Sequence, residues 1–98
     1  MRFRFKSKKL KALYTEERGA HKYPPGAVDA FFRVMSTIAA ALDERDLYAL
    51  KGLRYEKLKG GRREQHSIRL NDQFRLIVER EKDSQGRYLL IIDIEDYL

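Results

Sequence analysis

The fold is decided by residues 65–75, Gln-His-Ser-Ile-Arg-Leu-Asn-Asp-Gln-Phe-Arg, which continue into Leu-Ile-Val at 76–78. Apolar and polar residues alternate on both sides of Asn71 and Asp72, and a period of two is typical of half-buried β-strands. Asn and Asp favour turns because their short side chains bond to the nearby backbone. The stretch therefore predicts two antiparallel strands joined by a polar turn.

The length of this turn decides which side chains share a face, since a slip of one residue moves every side chain to the other side of the sheet. A two-residue turn would place Ile68 opposite Arg75. A three-residue turn over residues 71–73 instead pairs Ile68 with Leu76 on the buried face and places Arg69 opposite Arg75 on the other. We therefore predict the three-residue turn.

The facing pair of Arg69 and Arg75 calls for an anion, because like charges directly opposite each other destabilise a strand pair. The planar fork of donors in arginine fits phosphate or carboxylate. This face of the sheet is therefore predicted either to bind an external phosphate or to be neutralised by acidic side chains of the chain itself.

The last strand, predicted over residues 87–97, brings acidic side chains and a phenol to the same open face. Depending on the turn before it, Arg75 lies opposite Asp93 or Glu95, and Tyr97 projects from that face. One interpretation is ordinary sheet decoration, because exposed cross-strand ion pairs contribute little to stability. The other is a phosphodiester site, in which arginines stabilise charge on the phosphate and a tyrosine or carboxylate transfers a proton.

Strict alternation along this last strand divides its side chains between two faces. They are Tyr88, Leu90, Ile92 and Ile94 on one face, and Leu89, Ile91, Asp93, Glu95 and Tyr97 on the other. Because the first half is apolar on both faces, as in a central strand, we predict that this strand lies inside the sheet.

The leading half of the chain predicts a short strand and two helices. Residues 2–5 alternate Arg and Phe, Ser7 can cap a helix that ends near Gly19, and a second helix runs from the Pro24-Pro25 pair to about Asp43. Its apolar stripe should cover the sheet: Val28, Phe31, Met35, Ile38 and Leu42. Residues 43–54 suggest a connecting loop, and 55–58 a strand. The predicted class is α+β, with both helices packed on one face of a small, mainly antiparallel sheet.

Composition limits the possible functions. The 98 residues fit one domain, 1–98, and 21 Lys and Arg against 15 Asp and Glu give a net charge of +6, which favours a polyanionic partner. The chain has no cysteine, so we expect neither disulfides nor a thiolate metal site, and a cytoplasmic location. His21 and His66 lie too far apart for a zinc motif, so no metal or cofactor is expected. No secretory signal or membrane-spanning run is visible.

Two further features bear on a site. Residues 51–63 carry six cations and one acid around a Gly60-Gly61 pair, which is compatible with close approach to a phosphate. The ordinary pKa of a histidine side chain is suited to a general base, which makes His66 a candidate. By strict alternation it shares the buried face of Ile68 and Leu70, so it is either a packed histidine or, at the strand end, a site residue.

Three segments together resemble the HigB group of the RelE/ParE toxin superfamily, also known as plasmid maintenance killer proteins. They are Leu58-Lys59-Gly60, the 65–75 motif, and the Ile-Glu-Asp96-Tyr97 segment. The resemblance implies the RelE/ParE-like fold and a type II toxin that cleaves mRNA on the ribosome without a metal. It also implies a helix-turn-helix, HigA-like antitoxin as partner, through which alone the toxin would reach operator DNA.

The resemblance also implies roles for individual residues. Arg75 would stabilise the phosphate, and Asp96 and Tyr97 would belong to the active-site segment near the carboxyl end, with His66 as a further catalytic candidate. A second group would bind RNA: Lys57, Lys59, Arg62, Arg63 and Arg69.

One departure from the family pattern opens alternatives. Relatives commonly read Asp-Tyr-His where this chain reads Asp96-Tyr97-Leu98. Loss of that histidine removes a proton-transfer group. Three alternatives follow: the activity is weak, it depends on His66 and Tyr97, or it is absent. Two other functions share the fold: inhibition of DNA gyrase, as in the ParE branch, and a degenerate module that only binds the antitoxin.

Overall fold

The strands predicted around Asn71 lie in the middle of a sheet in the computed structural model, which describes residues 1–60, 62 and 64–97. Over these residues the strands are β1 (Phe3–Phe5), β2 (Glu56–Lys57), β3 (Gln65–Arg69), β4 (Phe74–Asp83) and β5 (Gly86–Asp96). The helices are α1 (Lys8–Glu16), α2 (Pro25–Ala40) and α3 (Glu44–Ala49), with single 3₁₀ turns at Ala20–Lys22 and Lys51–Leu53. The α+β class is confirmed.

The described strands form one sheet in the order β1-β5-β4-β3-β2. All neighbours are antiparallel except β1, which runs parallel to β5. Strand β5 therefore has a partner on each side, as its apolar first half predicts.

The three-residue turn between β3 and β4 is confirmed. Ile68 pairs with Leu76 and Arg69 with Arg75, and the Leu70 N–H donates to the Phe74 carbonyl at 3.0 Å. The Asn71 side-chain oxygen accepts from the N–H groups of Gln73, at 2.9 Å, and Phe74, at 2.8 Å. Asn71 thus closes the turn with its side chain, which fixes the two arginines opposite each other.

The β4–β5 hairpin differs from the prediction because it contains a β-bulge. The two-residue turn at 84–85 pairs Val78 with Ile91, but Ile77 pairs with Asp93, so Ile92 is the extra residue. The predicted strict alternation is therefore wrong: Leu89 and Ile91 belong to the same core as Ile94. Beyond the bulge Arg75 faces Glu95, which is one of the two predicted registers.

The helices cover one face of the sheet. The Ser7 hydroxyl accepts from the Leu10 N–H at 3.1 Å and begins α1, which buries Leu10 and Leu13. Helix α2 buries the following residues: Ala27, Ala30, Phe31, Val34, Met35 and Ile38. Apart from Ala27, these side chains pack with those of β3, β4 and β5 in one core. No helix of the described part of the chain is long and apolar enough to cross a bilayer.

Two predictions for residues 41–54 are wrong. Helix α2 ends at Ala40 rather than near Asp43, and Leu42 is 88% exposed instead of joining the buried stripe. The predicted connecting loop contains α3, which Asp43 caps by accepting from the Arg45 N–H at 2.9 Å, and which buries Leu47. The turn after α3 lies against β3 and brings Lys51, Gly52 and Arg54 to the sheet.

Candidate functional site

A cleft of about 630 Å³ lies where β3 and β4 meet the turn that follows α3. Six of its lining residues carry the chemistry: Lys51, Arg54, Arg69, Gln73, Arg75 and Tyr97. They come from the turn after α3, from both strands of the central hairpin and from the segment after β5. The fold thus places four cationic side chains and one phenol around a single opening.

Arg75 combines a partly buried guanidinium with the lack of an ion-pair partner within the described residues. Its Nη2 donates to the carbonyls of Arg54, at 2.5 Å, and Ser67, at 3.3 Å. Its Nε is buried and has no hydrogen-bond partner within the described residues, where no carboxylate lies within ion-pair distance either. Burial lowers the pKa of the Arg75 guanidinium; Glu56 and Tyr97 oppose this shift, and the nearby charges of Arg54 and Arg69 add to it. An anion bound here would relieve both effects.

Two neighbouring arginines, Arg69 and Arg62, are neutralised within the chain. Arg69 forms an ion pair with Asp72. Arg62 forms two hydrogen bonds with the Glu95 carboxylate, at 2.9 and 3.3 Å, and these raise the pKa of the Arg62 guanidinium. Although Glu95 is the register partner of Arg75, its carboxylate is thus occupied by Arg62, and the expected Arg75–carboxylate pair does not form.

Tyr97 lies beside Arg75. Its backbone N–H donates to the Gln73 carbonyl at 2.8 Å, and its ring centroid is 5.8 Å from the guanidinium carbon of Arg75. The side chain is 47% exposed, so the phenol remains accessible from the cleft. The structure therefore brings together the two residues that the predicted sheet register placed on one face.

Asp96 reaches this cleft only indirectly. It pairs with Phe74 and so lies on the other side of β5 from Glu95. One of its carboxylate oxygens accepts from the Gln73 side-chain amide at 3.0 Å. Because Gln73 also holds the backbone of Tyr97, Asp96 and Tyr97 are linked through one residue.

Comparison with known proteins identifies the family. A family model described as the RelE-like toxin of the type II toxin–antitoxin system HigB matches residues 3–92. The chain belongs to this HigB-like toxin family. Toxin HigB-1 of Vibrio cholerae is 35% identical over 79 residues, which cover 81% of this chain and 83% of that protein. A YoeB/ParE toxin from Agrobacterium tumefaciens has the same fold, with a TM-score of 0.59, 14% identity and full coverage of both chains. Membership of a type II toxin family implies an antitoxin partner.

In this HigB-like toxin His66 lies outside the cleft. It pairs with Val78 on the helix-covered face, is 1% exposed, and its Nε2 is 3.1 Å from the Tyr48 hydroxyl. Its ring stacks on Tyr55 with centroids 4.6 Å apart. Burial lowers the pKa of His66. The placement agrees with the packed-histidine alternative, and the structure does not bring His66 together with Arg75.

The predicted RNA-binding residues are divided by the structure. Arg69 lines the cleft, and Arg62 is held by Glu95 on the same face. Lys57, on the edge strand β2, and Lys59 are exposed and are not among the described residues that line the cleft. The predictions for Arg63 and Leu98 fall on positions outside the described residues.

Two cationic residues of the cleft were not singled out from the sequence, namely Lys51 and Arg54. Both were counted in the basic stretch 51–63, but the stretch gave no sign that its first cations turn toward the sheet. Arg54 adopts a left-handed conformation, with φ 45°, and its carbonyl meets Arg75. Such a conformation is uncommon for a residue other than glycine, so the sequence offered no signal for it.

Proposed function

We propose that this toxin is an endoribonuclease that cuts mRNA on the ribosome and so inhibits translation. The observation that carries the proposal is the partly buried guanidinium of Arg75, whose Nε is buried without a hydrogen-bond partner and which lacks a carboxylate partner within the described residues; it lies beside the phenol of Tyr97 in an open cationic cleft. Membership of the HigB-like family supports the assignment.

The proposed chemistry is attack of a ribose 2′-OH on the adjacent phosphate, with side chains rather than a metal ion supplying the catalysis. Negative charge that develops on the phosphate oxygens is stabilised by Arg75, whose partly desolvated charge interacts more strongly than a solvated one. Tyr97 lies close enough to the same phosphate to transfer a proton at the 2′-OH or at the leaving 5′ oxygen.

Other residues position Tyr97 or bind the RNA and take no part in the proton transfer. Asp96 and Gln73 position Tyr97 through the hydrogen bonds described above. Arg69 exchanges Asp72 for RNA phosphate at little cost, because Asp72 is almost fully exposed. Arg62 keeps Glu95 neutralised and borders the site, while Lys57, Lys59 and Arg63 attract the RNA by charge. His66 has only a structural role.

The antitoxin completes the proposal. We propose a helix-turn-helix, HigA-like protein that binds this toxin and represses their operon, so that operator DNA is reached only through the complex. A basic toxin with a net charge of +6 is suited to an acidic partner surface as well as to RNA.

The test compares the parent chain with Arg75→Ala, each expressed alone in bacteria. The parent should arrest growth and produce mRNA cuts that primer extension can map, and Arg75→Ala should reduce cleavage about 10²- to 10³-fold. Arg87→Ala is the matched control, because Arg87 is an exposed arginine of the same sheet outside the cleft. It should behave like the parent.

Three results would contradict the proposal. If Arg75→Ala arrested growth and cut mRNA at the parent rate, the site assignment would be wrong. Growth arrest with intact mRNA and inhibited gyrase supercoiling would place the chain functionally in the ParE branch instead, and tight antitoxin binding without growth arrest would indicate a degenerate binding module.

A further inference from the structure

A second groove, here called the flanking groove, continues from the Arg75 cleft. It has a volume of about 570 Å³ and shares Lys51, Gly52 and Arg69 with the cleft. Both volumes fall in the range of roughly 300–1,000 Å³ that is usual for ligand sites. Because the two depressions share three lining residues, a chain-like ligand held at Arg75 can extend into the flanking groove without leaving the surface.

The charges along this path are almost all positive. The two linings together contain Arg33, Lys51, Arg54, Arg69 and Arg75, and the one acidic residue among their described members is Asp72. Arg69 is paired with Asp72, whereas the side chains of Arg33, Lys51 and Arg54 make no ion pair within the described residues. A row of uncompensated cations indicates a ligand with more than one negative charge.

Apolar side chains also line the flanking groove. They include Val34, Leu50, Leu53 and Leu70; Leu50 is 49% exposed, whereas Val34 and Leu70 are buried. A groove lined by both cations and apolar side chains matches the two parts of a nucleotide, which has a charged backbone and a base with flat apolar faces.

We propose that the flanking groove binds the nucleotide next to the bond that is cut, with its phosphate held by Lys51 and Arg33 and its base against Leu50 and Leu53. The inference rests on the proposed ribonuclease function and adds to it a second subsite. It makes Lys51 and Arg33 determinants of how tightly the RNA next to the reacting phosphate is held.

Gly52 offers a way to block this path without disturbing the fold. It lies at the junction of the two grooves, and a Cβ at this position would have no heavy atom within 4 Å. A side chain is therefore sterically tolerated. Gly52→Glu places a carboxylate at the junction, and Gly52→Gln places a neutral side chain of the same size there, so the pair isolates the effect of charge.

The experiment measures binding of 2′-O-methyl RNA, which lacks the attacking hydroxyl and cannot be cut. The ligands are one dinucleotide and trinucleotides extended from it on the 5′ or the 3′ side, titrated by NMR against the full chain. One trinucleotide should bind about tenfold more tightly than the dinucleotide. Lys51→Ala, Arg33→Ala and Gly52→Glu should abolish this gain, while Gly52→Gln retains more of it and Arg87→Ala leaves it unchanged.

Equal affinity of the dinucleotide and both trinucleotides would overturn the subsite, as would an unchanged gain in Lys51→Ala and Arg33→Ala. In that case a loss of mRNA cleavage in Arg75→Ala would still support the ribonuclease function. Conversely, a subsite that binds the trinucleotide in a chain that cuts no mRNA would contradict the function alone. If Gly52→Glu kept its RNA affinity but was no longer neutralised when the antitoxin of the same operon was co-expressed, the groove would be a binding surface for the antitoxin. The proposal would then fail.

Discussion

His66 and Arg75 belong to the same hairpin and are both at least partly buried, yet they lie on opposite faces and have different surroundings. Burial lowers the pKa of each. His66 is enclosed by Tyr48 and Tyr55 on the helix-covered face, whereas Arg75 borders an open cleft and donates to backbone carbonyls. A shifted pKa alone therefore does not distinguish a site from a core. Accessibility does, together with the lack of an ion-pair partner among the described residues.

The largest effect that tests this contrast is expected for Tyr97→Phe. The substitution keeps the ring beside Arg75 and removes only the hydroxyl, so cleavage should fall about 10²- to 10⁴-fold if the phenol transfers a proton. Thermal unfolding should be unchanged. Primer-extension assays on ribosome-bound mRNA measure the first quantity and circular dichroism the second. Full cleavage by Tyr97→Phe would remove the phenol from the mechanism.

His66→Ala should have the opposite profile. Removing a buried ring that stacks on Tyr55 should lower the free energy of unfolding by about 2–4 kcal/mol, while cleavage per folded molecule stays near the parent value. Urea unfolding and cleavage at a permissive temperature separate the two. A stable His66→Ala variant without cleavage would show that His66, on the helix-covered face, also contributes to activity.

The pH dependence of stability gives a smaller effect. The folded chain lowers the pKa of His66 from its ordinary value of 6.5, so below that pH the unfolded chain binds a proton that the folded chain does not. The free energy of unfolding should therefore decrease as the pH falls through 6.5, by at most about 1.4 kcal/mol per pH unit. Glu44 opposes this shift and Arg80 and Lys57 add to it. Urea unfolding between pH 7.5 and 5.5 should show a steeper dependence in the parent than in His66→Phe.

The smallest effect concerns Arg54, whose backbone carbonyl accepts a hydrogen bond from Arg75. Arg54 has a positive φ of 45°, so Arg54→Gly should be more stable than Arg54→Ala by roughly 1 kcal/mol. Both variants retain the backbone carbonyl that accepts from Arg75, and neither retains the Arg54 charge. Chemical denaturation of the matched pair is the measurement. Equal stabilities would show that the left-handed conformation is not maintained in solution.

The sequence was sufficient for the central hairpin because only one turn length matches apolar with apolar residues, Ile68 with Leu76 for example. It was insufficient for β5, since the run Leu89–Ile92 is apolar throughout and conceals which residue is extra. Helix α3 is too short to show a helical period, and with it Lys51 and Arg54 were missed. The pairing of Arg62 with Glu95 joins residues distant in sequence, so no local pattern predicted that Arg75 would lack a carboxylate partner within the described residues.

The β-bulge at Ile92 has a consequence for how the toxin tolerates change. It gives β5 two registers, one tied to the hairpin tip at 84–85 and the other to the pairing of Leu76 with Ile94 beneath the cleft. When a residue is inserted or lost near the tip, the bulge can change and leave the pairing of Leu76 with Ile94 as it is. The position of the end of β5 that carries Glu95 and leads to Tyr97 therefore does not depend on the length of the far end of the hairpin.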